Sequence, residues 1–134
     1  MKKMLLVLFS TALLFGCSSS DDDVSGANTS FNPPAWIQGR WIEQTLGIIG
    51  YKFTNKDFIL ITGTTEASIG EQVNFFNNST IKASINEEIN SSTEYKFSYT
   101  IQSLTQHFHF VKISNTKFKD VLNDPDGYNP YLKK

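Results

Sequence analysis

The sequence predicts a mainly β protein: an antiparallel meander curled into a small barrel or sheet, interrupted by one short helix. Three observations predict it. Apolar and polar residues alternate over several short runs, as in "YKFTNKDFIL" and "EYKFSYTI", the two-residue period of a half-buried strand. Polar turns such as Asn55-Lys56 and Asn90-Ser91-Ser92 separate those runs and join antiparallel neighbours. Only residues 66–76 break the pattern, with Ile69, Val73 and Phe76 at helical spacing.

The chain opens with Lys2 and Lys3 and continues as an apolar run to Phe15. A basic start followed by a short apolar run is the layout of a secretory signal peptide. The run falls short of the roughly 20 apolar residues that a membrane-crossing helix needs. Residues 1–16 are therefore expected to be a cleaved signal. Leu14-Phe15-Gly16-Cys17 resembles the lipobox of bacterial lipoproteins. The resemblance implies that Cys17 receives a diacylglyceryl group on sulfur, becomes the new N-terminus and is acylated again. A thiolate is the natural nucleophile for such a thioether, and two or three acyl chains hold a protein on a membrane where one holds only marginally. Cys17 is the sole cysteine, so no internal disulfide forms.

Residues 17–32 carry no periodicity and little apolar content, with Ser18 to Ser20 followed by Asp21-Asp22-Asp23. They are expected to form a lipidated, solvated tether. The acidic triplet resembles an export signal of Bacteroidetes lipoproteins, which implies an outer-membrane anchor. Attachment at the cell surface and attachment facing the periplasm both fit.

Once residues 1–16 are removed, ten basic residues face thirteen acidic ones, a net charge of −3, and three of the acids lie in the tether. The remainder is nearly neutral and has no basic face, which argues against a nucleic-acid partner. About 100 residues are left to fold, enough for one small domain.

That domain is expected over residues 33–122. Pro33-Pro34 ends the tether, and "AWIQGRW" opens the first strand. Tyr51 and Phe53, then Phe58 and Leu60, flank the Asn55-Lys56 turn as a hairpin. The predicted helix follows. Ile81, Ala83 and Ile85 share one face of the next strand. Tyr95, Phe97, Tyr99 and Ile101 face inward on another. After a turn over residues 102–105, Phe108 and Phe110 do the same. An extended piece at 117–122 makes about seven strands, and residues 123–134, with "NDPDGYNP", are expected to be a loose tail. A closed antiparallel barrel needs an even number of strands. An eighth strand or an open curled sheet would each satisfy the pattern.

From "PAWIQGRW" through the hairpin, the helix and the strands ending "FVKISNTKF", the order of elements resembles that of small lipocalin-like lipoproteins of the Bacteroidetes type. The resemblance implies a lipocalin-like β domain in which Gly39 and Trp41 supply the Gly-x-Trp that opens the first strand and plugs one end. It implies almost nothing about function.

Catalytic constellations are scarce. His107 and His109 point to one side of a strand, opposite Phe108 and Phe110, and lack the third ligand that a zinc site requires. Glu87 and Glu88 are adjacent, so their carboxylates diverge. Asp124-Pro125-Asp126-Gly127 holds part of a calcium loop without the ligands that should follow, and reads better as a turn. The expectation is a protein that is not an enzyme and has no cofactor and no metal. The inward aromatics remain: Trp41, Phe53, Phe58, Tyr95, Phe97, Tyr99, Phe108 and Phe110. They either line a pocket for a small apolar ligand or fill the interior, and their volume favours filling. The functional expectation is a lipid-anchored accessory or interaction module of the cell envelope, presenting its surface to a protein or glycan. The alternative is a carrier of a small apolar ligand.

Overall fold

The computed structural model of the protein describes residues 28–134. The expected signal peptide, Cys17 and the tether as far as residue 27 lie outside the described residues. The fold is mainly β, a single nine-stranded antiparallel sheet that curls into a half-barrel with one helix. In chain order the strands are β1 (Gly39–Glu43), β2 (Ile49–Phe53), β3 (Phe58–Thr62) and β4 (Thr65–Ser68). The helix α1 (Ile69–Asn77) follows. Then come β5 (Ala83–Asn90), β6 (Glu94–Ile101), β7 (Leu104–Ser114), β8 (Lys117–Asp120) and β9 (Tyr131–Lys133).

In space the order is β4-β3-β2-β1-β9-β8-β7-β6-β5, and every neighbouring pair is antiparallel. With an odd number of alternating strands, the two edges β4 and β5 run in the same direction. They cannot pair antiparallel, so the sheet stays open at that seam. The connection between two parallel strands must cross over, and α1 is that crossover.

The helix begins later than the spacing of Ile69, Val73 and Phe76 suggests. Residues 65–68 pair with β3, Ile59 opposite Ser68 and Thr62 opposite Thr65. Ser68 then caps α1, its hydroxyl accepting from the Glu71 amide at 3.0 Å. A Ser before an apolar run is a strong helix start, and here it overrides the helical reading of residues 66–68. Asp57, in the β2–β3 turn, fixes this start in space. Its Oδ1 accepts from the Gly70 amide at 2.9 Å and its Oδ2 from the Ser68 hydroxyl at 2.6 Å. A Cβ on Gly70 would stand 2.5 Å from Asp57 Oδ1, so glycine at this helical position permits the contact.

Two expected boundaries are corrected. The tail holds β9, which inserts between β1 and β8 with Glu43 opposite Tyr131 and Lys117 opposite Leu132. Three residues after Pro130 are too short to show a period, yet they supply the backbone partners that β1 and β8 both need. At the other boundary, Phe31 is buried with its ring against Phe58 and Phe97 at 5.8 and 5.2 Å. Its amide donates to Lys56 O at 3.2 Å, and the Asn32 amide donates to Glu87 Oε1 at 2.8 Å. The folded unit therefore starts ahead of Pro33 and runs on through β9. The count of seven strands becomes nine, with β4 and β9 the two that the pattern hides.

The half-barrel has two unlike ends. At the base, residues 30–38 lie across the β2–β3 and β5–β6 turns, with the Phe31 amide donating to Lys56 O and Trp36 Nε1 donating to Ser91 O at 2.9 Å, while Asn28 O accepts from the Ile85 amide at 2.7 Å on the edge of β5. The C-terminus reaches the same end, where the Lys133 amide donates to Thr116 O at 3.0 Å. The opposite end, the crown, carries the β1–β2, β3–β4, β6–β7 and β8–β9 connections. The Gly63 amide joins the β3–β4 turn to Ile48 O, and Thr45 Oγ1 joins Asn129 Oδ1 across the β1–β2 and β8–β9 loops.

Candidate functional site

The interior brings the eight inward aromatics of the sequence into one cluster. Trp41, Phe53, Phe58, Tyr95, Phe97 and Phe110 are all but inaccessible, while Tyr99 and Phe108 are half-buried. Phe58 meets the rings of Phe108, Phe97 and Phe53 at centroid distances of 4.8, 4.9 and 5.2 Å. Rings at 4.5–7 Å in edge and offset arrangements are in packing contact, so these side chains occupy the space between the strands. Trp41 sits against Phe118 at 4.8 Å, donates Nε1–H to Ile37 O, and carries Lys133 Nζ over its ring at 5.2 Å.

The same cluster includes four aromatics beyond those eight, Phe31, Tyr51, Phe118 and Tyr131. Tyr51 stands beside Phe53 in the alternating run of β2, and Phe118 lies in the expected extended piece, now β8. Phe31 precedes two prolines and Tyr131 stands in a three-residue strand, and neither position leaves a periodic signal.

Polar atoms inside the cluster are paired, and among the described residues no buried side-chain N or O lacks a partner. Tyr95 OH donates to Glu87 Oε1 at 2.5 Å. Tyr51 OH donates to Asp120 Oδ2 at 3.1 Å. Burial first, and then Tyr131 and Asp120 beside Tyr51 and Glu87 beside Tyr95, pushes both phenols far above the ordinary tyrosine range. Both stay protonated as donors.

Asp120 leads from the interior to the crown. This almost fully buried carboxylate also accepts from Asn123 Nδ2 at 2.7 Å and from the amides of Leu122 and Asn123 at 3.1 and 3.3 Å. Above it lies a hollow of about 230 Å³ lined by Glu43, Leu46, Asp120, Asn123, Asp124, Asn129 and Tyr131. Glu43 accepts from the Leu46 amide at 2.6 Å and the Thr45 amide at 2.8 Å. These amides, Leu46 foremost, hold its carboxyl below the ordinary range. Asp124 accepts from the amides of Tyr128 and Asn129 at 3.0 and 2.7 Å. Asp124-Pro125-Asp126-Gly127 is thus a hydrogen-bonded turn, closed by the Gly127 amide on Asp124 O at 3.1 Å. The crown loops also expose Leu46, Ile48, Leu122 and Tyr128, at 62, 54, 51 and 82%.

A second, open hollow of about 650 Å³ lies between β4 and α1, lined by Glu66, Ala67, Ser68, Glu71, Gln72, Phe75 and Phe76. Neither hollow is lined by any of the eight inward aromatics of the sequence, although Tyr131 of the same cluster borders the crown hollow. On the outer face of the sheet, His109 Nε2 meets Glu94 Oε1 at 2.6 Å. Glu88 pairs with Lys96 at 2.6 Å, while Glu87 turns inward to Tyr95, so the two adjacent carboxylates do part. Among the described residues no cluster of three or more His, Cys, Asp or Glu has the geometry to hold a metal ion. No described helix is long and apolar enough to cross a membrane.

No family model, curated protein or solved structure matches the chain.

Proposed function

We propose that the protein is a lipid-anchored lipoprotein of the cell envelope, attached to the outer membrane through acyl chains on Cys17, whose lipocalin-like domain is a non-catalytic accessory or interaction module. The observation that carries this reading is the polarity of the half-barrel. The chain crosses the base over residues 30–38, where it and the C-terminus are tied down. The apolar loops Leu46, Ile48, Leu122 and Tyr128 stand at the opposite end. A tether attached at the base would hold the crown away from the bilayer. Exposed apolar side chains gathered on neighbouring loops are a feature of interaction surfaces. The lipobox-like Leu14-Phe15-Gly16-Cys17 supports the anchor, and the ring-against-ring interior disfavours the carrier reading, which needs an empty pocket.

Two measurements on the full chain test this. Wild type should incorporate labelled palmitate and fractionate with membranes, whereas Cys17→Ser should lose the label and remain as precursor or soluble product. A Cys17→Ser chain that is still labelled and membrane-bound would refute the anchor. Purified wild type should show no saturable uptake of the apolar fluorophore anilinonaphthalene sulfonate. Saturable uptake that is weakened by Phe108→Ala would make the protein a carrier instead.

A further inference from the structure

We infer that the crown hollow and its apolar rim form a docking surface for a partner protein, which inserts a lysine or arginine side chain flanked by apolar residues. This deepens the interaction-module reading and rests on it. The charge of the hollow's own lining, three carboxylates and no base, carries the inference together with its apolar rim. Away from the crown, Glu66 pairs with Arg40 and with Lys52, Glu88 with Lys96 and Glu94 with His109, while Glu87 and Asp57 accept from neighbouring hydroxyls and amides. At the crown, Glu43, Asp120, Asp124 and Asp126 form no ion pair among the described residues. The lining of the hollow contains no lysine, arginine or histidine. Lys119 of β8 has its Nζ on the Pro125 carbonyl at 3.0 Å. Glu43, Asp120 and Asp124 are held in place by loop amides and not by cations, so they present a fixed negative field at a hollow with room for one long side chain.

The apolar rim supplies the second half of the argument. Leu46 lines the hollow. Leu122 precedes Asn123 and Tyr128 precedes Asn129, both lining residues, and the Thr45–Asn129 bond holds the two loops together. Exposed leucine and tyrosine gathered around a polar hollow are a feature of protein-binding surfaces, and opposite charge across the interface sets the register of the partner. A small neutral ligand would leave the field unanswered, and an acidic partner would be repelled.

The test titrates the isotope-labelled full chain with the synthetic pentapeptide Leu-Arg-Leu-Lys-Leu, with Leu-Glu-Leu-Glu-Leu, and with maltotriose, reading amide shifts. The basic peptide should bind saturably, shift Leu46, Asn123 and Asn129, and weaken with added salt. Asp126→Asn should weaken it about two- to fivefold, the range of an exposed ion pair. Leu46→Ser or Tyr128→Ser should weaken it about fivefold or more. Ile113→Ser, an equally exposed residue near the base, should leave it unchanged. All four substitutions are on exposed side chains, so the fold survives them. Failure of the basic peptide to bind, equal binding of the acidic peptide, or maltotriose shifting the same amides in its place would each overturn the inference. If such a failure comes with no fluorophore uptake by wild type, the interaction-module reading still stands. Uptake would remove both.

Discussion

Phe97 offers the sharpest test of how the interior is built. Its side chain is fully buried on β6. It is enclosed by Phe31 from the N-terminal segment at 5.2 Å, Phe58 from β3 at 4.9 Å, Tyr95 at 4.8 Å and Phe108 at 5.2 Å. Truncation to alanine removes most of a ring that buries about 150–250 Å², and these neighbours come from four different segments that cannot all close the gap. The loss of transfer energy and the cavity together should cost about 3–5 kcal/mol. A small domain has only about 5–15 kcal/mol in total. Phe108 lies one strand away at the half-exposed margin of the same cluster. Water already reaches part of its ring, so Phe108→Ala should cost about 1–3 kcal/mol. Guanidinium unfolding followed by circular dichroism measures both, with the slope on denaturant unchanged if each mutant keeps the same native compactness. The comparison carries the test, because a lined pocket and a filled core differ most at Phe97. A Phe97→Ala loss below about 1.5 kcal/mol, or one no larger than that of Phe108→Ala, would refute the packed interior.

Asp57→Ala should remove the acceptor that ties the start of α1 to the β2–β3 turn, leaving the Gly70 amide and the Ser68 hydroxyl without that partner. A loss of about 1–3 kcal/mol is expected, with faster hydrogen exchange in α1 than in β6 and β7. Uniform exchange across the domain would contradict a local role. Glu43 predicts an acid limb. Its folded carboxyl is held below the ordinary range by the Leu46 and Thr45 amides, so its contribution is fully present above the unfolded pKa of about 4.3 and is lost as pH falls through the lower folded value. Unfolding midpoints from pH 6 down to pH 2 should therefore fall less steeply for Glu43→Gln than for wild type, and equal slopes would exclude Glu43 as a source of the limb.

The sequence made the middle of each half-sheet legible and left its margins hidden. Tyr95, Phe97 and Phe110 stand in long alternating strands, and the structure buries all three. Ile69 and Val73 likewise sit on the buried side of α1. What stayed hidden depends on tertiary partners. β4 is four residues whose strand character comes from pairing with β3, and β9 is three residues whose place is set by the open edges of β1 and β8. The crown site was hidden for a related reason. Glu43, Asp120 and Asp124 are far apart in the chain, and only the insertion of β9 between β1 and β8 brings the β1–β2 and β8–β9 loops together.

Strand parity ties these failures to one cause. Without β9, β1 and β8 would lie side by side in the same sense, and without β4 the edges β3 and β5 would run in opposite senses. With both strands present the edges β4 and β5 share one sense, so the meander does not close antiparallel and a helical crossover joins them. The Asp57–Ser68–Gly70 contacts position that crossover at the base, and its far end returns the chain to the crown. β9 instead enters the middle of the sheet, where it seals the interior against Tyr131 and raises Asp120, Asn123 and Asp124 beside Glu43. The strand least visible in the sequence is therefore the one on which the crown hollow depends. Truncation before Tyr131 should abolish basic-peptide binding at the crown together with cooperative unfolding, whereas Asp57→Ala, which acts at the base, should weaken the fold and leave that binding intact in the molecules that remain folded.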